Sequence, residues 1–296
     1  MKPFELAEPK TLPEAVSLLD PADSSVRALA GGTALMLMMK ARLFQPTRLV
    51  SLHRLNGTMR GVRRDKDGGL SIGALTSLRE LERSSLVAAL APTISRALRT
   101  LANVRVRNVA TLGGHLAHGD PHMDLPPILL TMGASVRAVS SRGERWIDMA
   151  ELFVGYYQTA LTRDELIAEV SIPPQPGGIC SAYAKCTALN ADDWPAVGAA
   201  VWYRLEQGAI SEARIAISAA TERPVRASAA EAALAGSPAE PAAFARAADA
   251  AAEEVQTLAD IRGSVSYKRE MVRVHVRRAL QQALDSRSES ESHGDR

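Results

Sequence analysis

Two glycine pairs constrain this chain more than any other feature: Ala30-Gly31-Gly32-Thr33-Ala34, and later Thr111-Leu112-Gly113-Gly114-His115. The first follows a short apolar run, Val26 to Ala30, and opens a Leu- and Met-rich stretch, Ala34 to Arg42. That order predicts a strand, a tight turn and a helix, with Thr33 as the helix cap. Beyond Pro46, the run Arg48-Leu49-Val50-Ser51-Leu52 predicts a second strand. Paired glycines let backbone N–H groups approach a ligand with no Cβ in the way. Several such groups pointing inward form an anion nest, and a helix N-terminus adds partial positive charge. A diphosphate suits such a nest. Neither loop has the spacing Gly-x-Gly-x-x-Gly or Gly-x4-Gly-Lys-Ser/Thr.

The second loop sits in ATLGGHLAHGDPHMDLPP, which also offers metal-ligand types in His115, His118, His122 and Asp124. Gly119, Asp120 and Pro121 interrupt the run, so no helix face gathers the imidazoles. The expectation is therefore no metal site, with His118 and His122 as surface or packing residues. Asp124 precedes LPPILLTMG, a short helix with prolines at its start and glycine at its end. It reads as an N-cap or as a carboxylate for a ribose hydroxyl, and the two roles are compatible. The chain has only two cysteines, Cys180 and Cys186, too few for an iron–sulfur cluster and without zinc-site spacing.

A length of 296 residues predicts two domains. A net charge of +2 gives no bias toward nucleic acid. MKPFELAEPK lacks the apolar core of a secretory signal, and no uncharged apolar run reaches membrane-span length, so the cytoplasm is expected. The linker candidate is PPQPGG, Pro173 to Gly178. Before it, SVRAV and RWIDM predict a hairpin. After it, SAYAKCTA, AAVWYRLE and ISEARIAISAA predict a three-strand meander, followed by Ala-rich helices. The expected division is 1–176, with subdomains of about 1–55 and 56–176, then an α+β domain over 177–285. The polar tail 286–296 reads as disordered.

These motifs, in this order, resemble the FAD-binding medium subunit of molybdenum hydroxylases of the carbon monoxide dehydrogenase and xanthine dehydrogenase type. KPFELAEPKTLPEAVSLL, GYYQTALTRDELIAEVSIP, ATERPVRASAAEAALAG and DIRGSVSYKREMVRVHVRRAL extend the resemblance through all but about the last dozen residues. It implies an α+β chain: a two-subdomain FAD-binding domain of the vanillyl-alcohol-oxidase (PCMH) type, then a small C-terminal domain with a three-stranded antiparallel sheet and helices. It implies noncovalent FAD here, and molybdopterin and 2Fe–2S centres only in partner subunits. Those partners would be a molybdopterin-binding large subunit and a 2Fe–2S small subunit, in a dimer of heterotrimers. The implied activity is that of an oxidoreductase subunit, taking electrons from the partner's clusters and passing them to an external acceptor. No catalytic residue is required of this chain.

Carried over residue by residue, Ala30, Gly31, Gly32, Thr33 and Ala34 match the first FAD loop, and Thr111, Gly113, Gly114 and His115 the second. Asp124 matches the family aspartate near the ribose or diphosphate. Lys185 matches a lysine close to the flavin, and Asp193 with Trp194 the segment over the isoalloxazine. Three positions depart from the family: His115 stands where asparagine is usual, Leu189 where arginine is frequent, and Pro195 is unusual in its segment. Two other functions compete: a free-standing flavin oxidoreductase of the same fold, and a flavin-free assembly or scaffold protein. Tyr156 and Tyr157 read as core or interface residues.

Overall fold

A computed structural model describes residues 2–294 except 56 and 58, with side chains through residue 287. The chain forms two compact units that do not follow chain order. One comprises Met1–Leu98, Ala102–Gly119 and Ala134–Pro173; the other comprises Arg99–Leu101, Asp120–Gly133 and Pro174–Arg296.

The first unit holds a three-stranded parallel sheet with Arg48–Ser51 between Glu5–Ala7 and Val26–Leu29. Parallel neighbours need crossover connections, and helices Leu12–Ser17 and Leu35–Lys40 lie in them. A second, antiparallel sheet has the order Val62–Arg64, Leu70–Gly73, Leu166–Ile172, Ser135–Ser140, Gly143–Asp148. Its last pair is the hairpin expected from SVRAV and RWIDM. The short helices of this unit are set by local capping more than by length. Thr11 with Glu14 and Ser77 with Glu80 form capping boxes, and the Asn103 side chain accepts from Val106 N–H. Leu49, Leu70, Ile72, Leu78, Leu81, Leu98, Leu112 and Leu116 are all buried in this unit.

Thr33 is not the helix cap. The helix starts at Leu35 with Ala34 at the N-cap position, and no side chain accepts from its first turn. A capping side chain needs an extended cap residue, whereas Ala34 is already helical at φ −85° and ψ −47°. Gly32, at φ 69°, turns the chain in the left-handed region open to glycine.

The second unit is built on an antiparallel meander, Ile179–Thr187, Pro195–Glu206 and Ala209–Ser218; a two-residue strand, Val225–Arg226, adds a fourth position at the edge. One sheet face carries Cys180, Ala182, Val201, Tyr203 and Ile215 into a core with helices Ser228–Leu234, Pro241–Glu254 and Val265–Gly294. Buried Ala243, Ala247, Ala248, Ala251 and Ala252 let the middle helix approach Val272, Val276 and Leu280 closely. The Tyr203 hydroxyl donates to Leu280 O at 3.2 Å. The other sheet face packs on helix Leu125–Thr131, where the Arg214 guanidinium lies 4.3 Å over Trp202. The last helix runs on through residues 286–294, where disorder was expected. Extending an existing helix adds a hydrogen bond per residue without a new nucleus. Residues 295 and 296 lie outside the described residues. No helix among the described residues is long and apolar enough to cross a membrane.

Candidate functional site

The first glycine loop carries a row of unused backbone donors among the described residues. Among the described residues, no acceptor serves the N–H groups of Gly31, Gly32, Thr33 and Ala34; the first bond into the helix runs from Met36 N–H to Gly32 O at 2.9 Å. The loop residues are half-buried. Successive backbone donors without a protein partner, following a left-handed glycine turn, suit a bound anion.

The two loops are packed together inside the first unit. A Cβ added at Gly31 would lie 2.1 Å from Val109 O and 2.8 Å from Ala110 Cα, the residues just before Thr111. A Cβ at Gly114 would lie 3.5 Å from that of Ala30. Thus the first loop lies against Thr111 and Gly114.

The two loops are not equivalent, however. The second glycine pair lies inside helix Leu112–Ala117, with Thr111 at its N-cap accepting from Gly114 N–H. Leu112 N–H donates to Thr76 O at 3.0 Å, Gly113 N–H to Ala74 O at 2.7 Å and His115 N–H to Thr111 O at 2.9 Å. These donors are spent within the protein, so the second glycine pair, unlike the first, offers no row of unused N–H groups. Gly113 is there for close packing, since its Cβ would meet Ala74 Cβ at 2.6 Å. His115 is half-buried on the same helix, and His118 makes an edge contact with Tyr157 at 5.2 Å between ring centroids.

The remaining predicted residues meet in the second unit. Asp124 does occupy the N-cap position of helix Leu125–Thr131, but its side chain makes no capping bond. Instead it accepts from the Tyr183 hydroxyl at 2.7 Å and from Lys185 Nζ at 3.4 Å. Asp124 is itself in helical conformation, at φ −77° and ψ −37°, so its carboxylate is not aimed at the first turn. Lys185 commits its other donors to Thr100 O at 2.8 Å and Asp193 O at 3.2 Å. The ammonium is a strut joining Asp124, Thr100 and the segment that carries Asp193 and Trp194. Trp194 is 42% exposed. Burial pushes the Asp124 carboxyl above its ordinary value, against the opposing pull of Lys185 and Tyr183. Burial and the Asp124 charge together push the Tyr183 hydroxyl well up. Tyr183 is the residue the sequence reasoning missed. The signal was the period of two in Ala-Tyr-Ala-Lys-Cys, which places Tyr183 and Lys185 on one strand face.

His122 is neither a surface residue nor loose packing. It is buried, with Nδ1 2.9 Å from Asp120 Oδ1 and Nε2 2.9 Å from Asp260 Oδ2. Lys268 Nζ, also buried, lies 2.8 Å from the same Asp260 oxygen. Burial alone would raise the Asp260 carboxyl, but donation from Lys268, His122 and the Arg262 N–H outweighs it and holds the group at about 2. An unfolded aspartate titrates near 4. The folded state therefore binds fewer protons between those values, and the stabilisation is present above about pH 4 and lost as pH falls toward 2. The denaturation midpoints of wild type and Asp260→Asn, compared from neutral pH down to pH 2.5, should converge on acidification; a gap that widens refutes the assignment.

A family model described as "FAD binding domain in molybdopterin dehydrogenase" matches residues 2–175, and one described as "CO dehydrogenase flavoprotein C-terminal domain" matches residues 181–283. The chain is 34% identical over 280 residues to the carbon monoxide dehydrogenase medium chain of Hydrogenophaga pseudoflava, covering 95% of this chain and 96% of that one. It is 33% identical to the nicotine 6-hydroxylase medium subunit of Paenarthrobacter nicotinovorans, covering 94% and 96%. Among solved structures, a carbon monoxide dehydrogenase from H. pseudoflava lacking the Mo-pyranopterin moiety superposes with TM-score 0.91 and 36% identity, over 96% of this chain and 99% of that one.

Proposed function

Because the chain belongs to the FAD-binding subunits of the molybdopterin dehydrogenases, we propose that it is the electron-transfer subunit of a molybdenum hydroxylase complex. In this reading it takes electrons from 2Fe–2S clusters of a small subunit, while a molybdopterin-binding large subunit oxidises the substrate. It then passes the electrons to an external acceptor. Both partners belong to a dimer of heterotrimers. The observation that carries the reading is the first loop: four successive half-buried residues whose N–H groups have no acceptor among the described residues, pressed against the second loop at a glycine.

FAD, when bound, supplies a centre able to exchange one or two electrons. The chain's own residues bind and orient it. The N–H groups of Gly31 to Ala34 are suited to a diphosphate, with Thr111, Gly114 and His115 as the adjoining wall and Gly113 holding that wall against Ala74. Asp124 is assigned to the ribose side. Lys185 keeps Asp124 and the Asp193–Trp194 segment in place, and Trp194 excludes water from the ring. The test is the colour of the purified full-length chain. A flavin spectrum that co-elutes with the protein and is released by acid is expected. Colourless protein that takes up no added FAD refutes the proposal.

A further inference from the structure

We propose that the cavity at the C-terminal end of helix Leu35–Lys40 is a binding site for a small aromatic carboxylate. The helix that leaves the first glycine loop ends here, roughly 9 Å from its start. The cavity is therefore not the diphosphate cradle, and it stands independently of the flavin reading. It encloses about 230 Å³. Met39, Phe44 and Pro46 line its apolar part, Gln45 adds an amide, and Lys2 and Arg42 bring two cations. None of the six is acidic, and all belong to the first unit. Met39 is 3% exposed and Pro46 is buried, so the apolar part is a packed floor. Sites for drug-sized ligands run to about 300–1,000 Å³, so this one suits a guest of about one or two rings.

The charges around this cavity are of one sign. Among the described residues, no carboxylate pairs with Lys2, Arg27, Arg42 or Arg163. Arg27 is half-buried in strand Val26–Leu29, with its guanidinium 5.2 Å from the centre of the Phe44 ring, which it steadies as a wall. Burial, and after it the Arg163 charge, lower Arg27 from the usual guanidinium value. An arginine nevertheless stays charged, so an anion bound nearby relieves the repulsion. The fork of an arginine matches a carboxylate in shape and charge, and Phe44 gives the attached ring a surface to lie on.

The backbone at Arg42 points to the same role. Arg42 has φ 61° and closes the helix: its N–H donates to Met39 O at 3.1 Å, and Leu43 N–H donates to Met38 O at 2.9 Å. Glycine is the usual residue at such a position, and a larger residue there bears a backbone cost. The chain bears that cost at a residue that lines the cavity. The same two bonds occupy carbonyls that would otherwise repel an anion at a helix C-terminus.

The test is calorimetric titration of the full-length chain with 2-naphthoate. Binding should be at least about tenfold tighter than that of 2-naphthamide, which lacks the charge, or of inorganic phosphate, which lacks the ring. Arg42→Gly should weaken 2-naphthoate binding about tenfold or more. It should melt no lower than wild type, since glycine suits that φ. Arg42→Asn, which also tolerates the left-handed region, should behave alike. Lys66→Gln, at an exposed lysine elsewhere in the same unit, should bind as wild type does. With methyl-¹³C methionine, the Met39 resonance, assigned by its loss in Met39→Leu, should shift as 2-naphthoate is added. Phosphate or 2-naphthamide binding as tightly as 2-naphthoate, a Met39 resonance that does not move, or affinity unchanged in Arg42→Gly overturns the site. So does binding that added FAD abolishes in wild type and Arg42→Gly alike, which marks capture by the cofactor site. If the chain takes up no FAD, the flavin reading fails, while the 2-naphthoate titrations still decide this site.

Discussion

Gly31→Ala should abolish flavin binding while leaving the second unit folded. The new Cβ would lie 2.1 Å from Val109 O and 2.8 Å from Val109 C and Ala110 Cα. All of these are backbone atoms, so no side-chain rotation relieves the clash; one loop must move away from the other. The displaced loop is the one whose N–H groups have no partner among the described residues. A cradle made of several aligned donors loses most of its binding when their directions diverge. A loss of at least about 100-fold in FAD affinity is expected, equivalent to roughly 3 kcal/mol. Gly177→Ala is the control, because a Cβ there has no neighbour within 4 Å. Titration of both variants with FAD, followed by flavin fluorescence, is the measurement. If Gly31→Ala binds FAD as tightly as Gly177→Ala, the loop is not the diphosphate site.

Lys185→Met should produce the largest loss of stability of any single change in the candidate site. The Lys185 and Asp124 side chains are each 8% exposed and lie 3.4 Å apart. Methionine fills a similar volume but leaves the Asp124 charge, among the described residues, with the Tyr183 hydroxyl alone, and strips a donor from Thr100 O and Asp193 O. Breaking a buried pair on one side costs about 3–5 kcal/mol. At about 2–4 °C per kcal/mol, the melting temperature should fall by roughly 10 °C.

The pH dependence has a definite sign. Asp124 is already raised by burial, against the pull of Lys185 and Tyr183, and removing Lys185 raises it further. A folded-state value above the unfolded one costs nothing at low pH, where both states are protonated. It costs increasingly as pH rises through the window above about 4. The Lys185→Met deficit should therefore be small near pH 4 and greatest near neutrality, and Asp124→Asn in the same chain should recover part of it. Equal deficits at both pH values would show that the lost ammonium acts by packing alone.

Legibility in the sequence followed the range of the contacts. The first loop was readable because strand, glycine pair and helix are adjacent, and each is a local preference. The meander and the hairpin were readable for the same reason, through alternation over a few residues. Thr33 as a cap was misjudged by one residue, because the left-handed turn at Gly32 brings Ala34 into helical geometry early. The second glycine pair looked like a copy of the first. Only packing against Ala74 and Thr76 shows that its donors are spent.

Asp124, Lys185 and Asp193 were each singled out by resemblance, but neither the Tyr183 bond nor the ammonium's link to Thr100 follows from any spacing. Lys185 and Thr100 are 85 residues apart in the chain, and His122 and Asp260 are 138 apart. From its neighbours alone, His122 was one polar residue among several in a histidine-rich stretch. Local order, the loop chemistry and the family were thus written in the residues themselves, because backbone freedom and periodicity act over a few positions. Which donors stay free, and which buried charges are paired, was decided only when distant segments met. A hydrogen bond depends on the final distance between two atoms, and no local preference sets that distance.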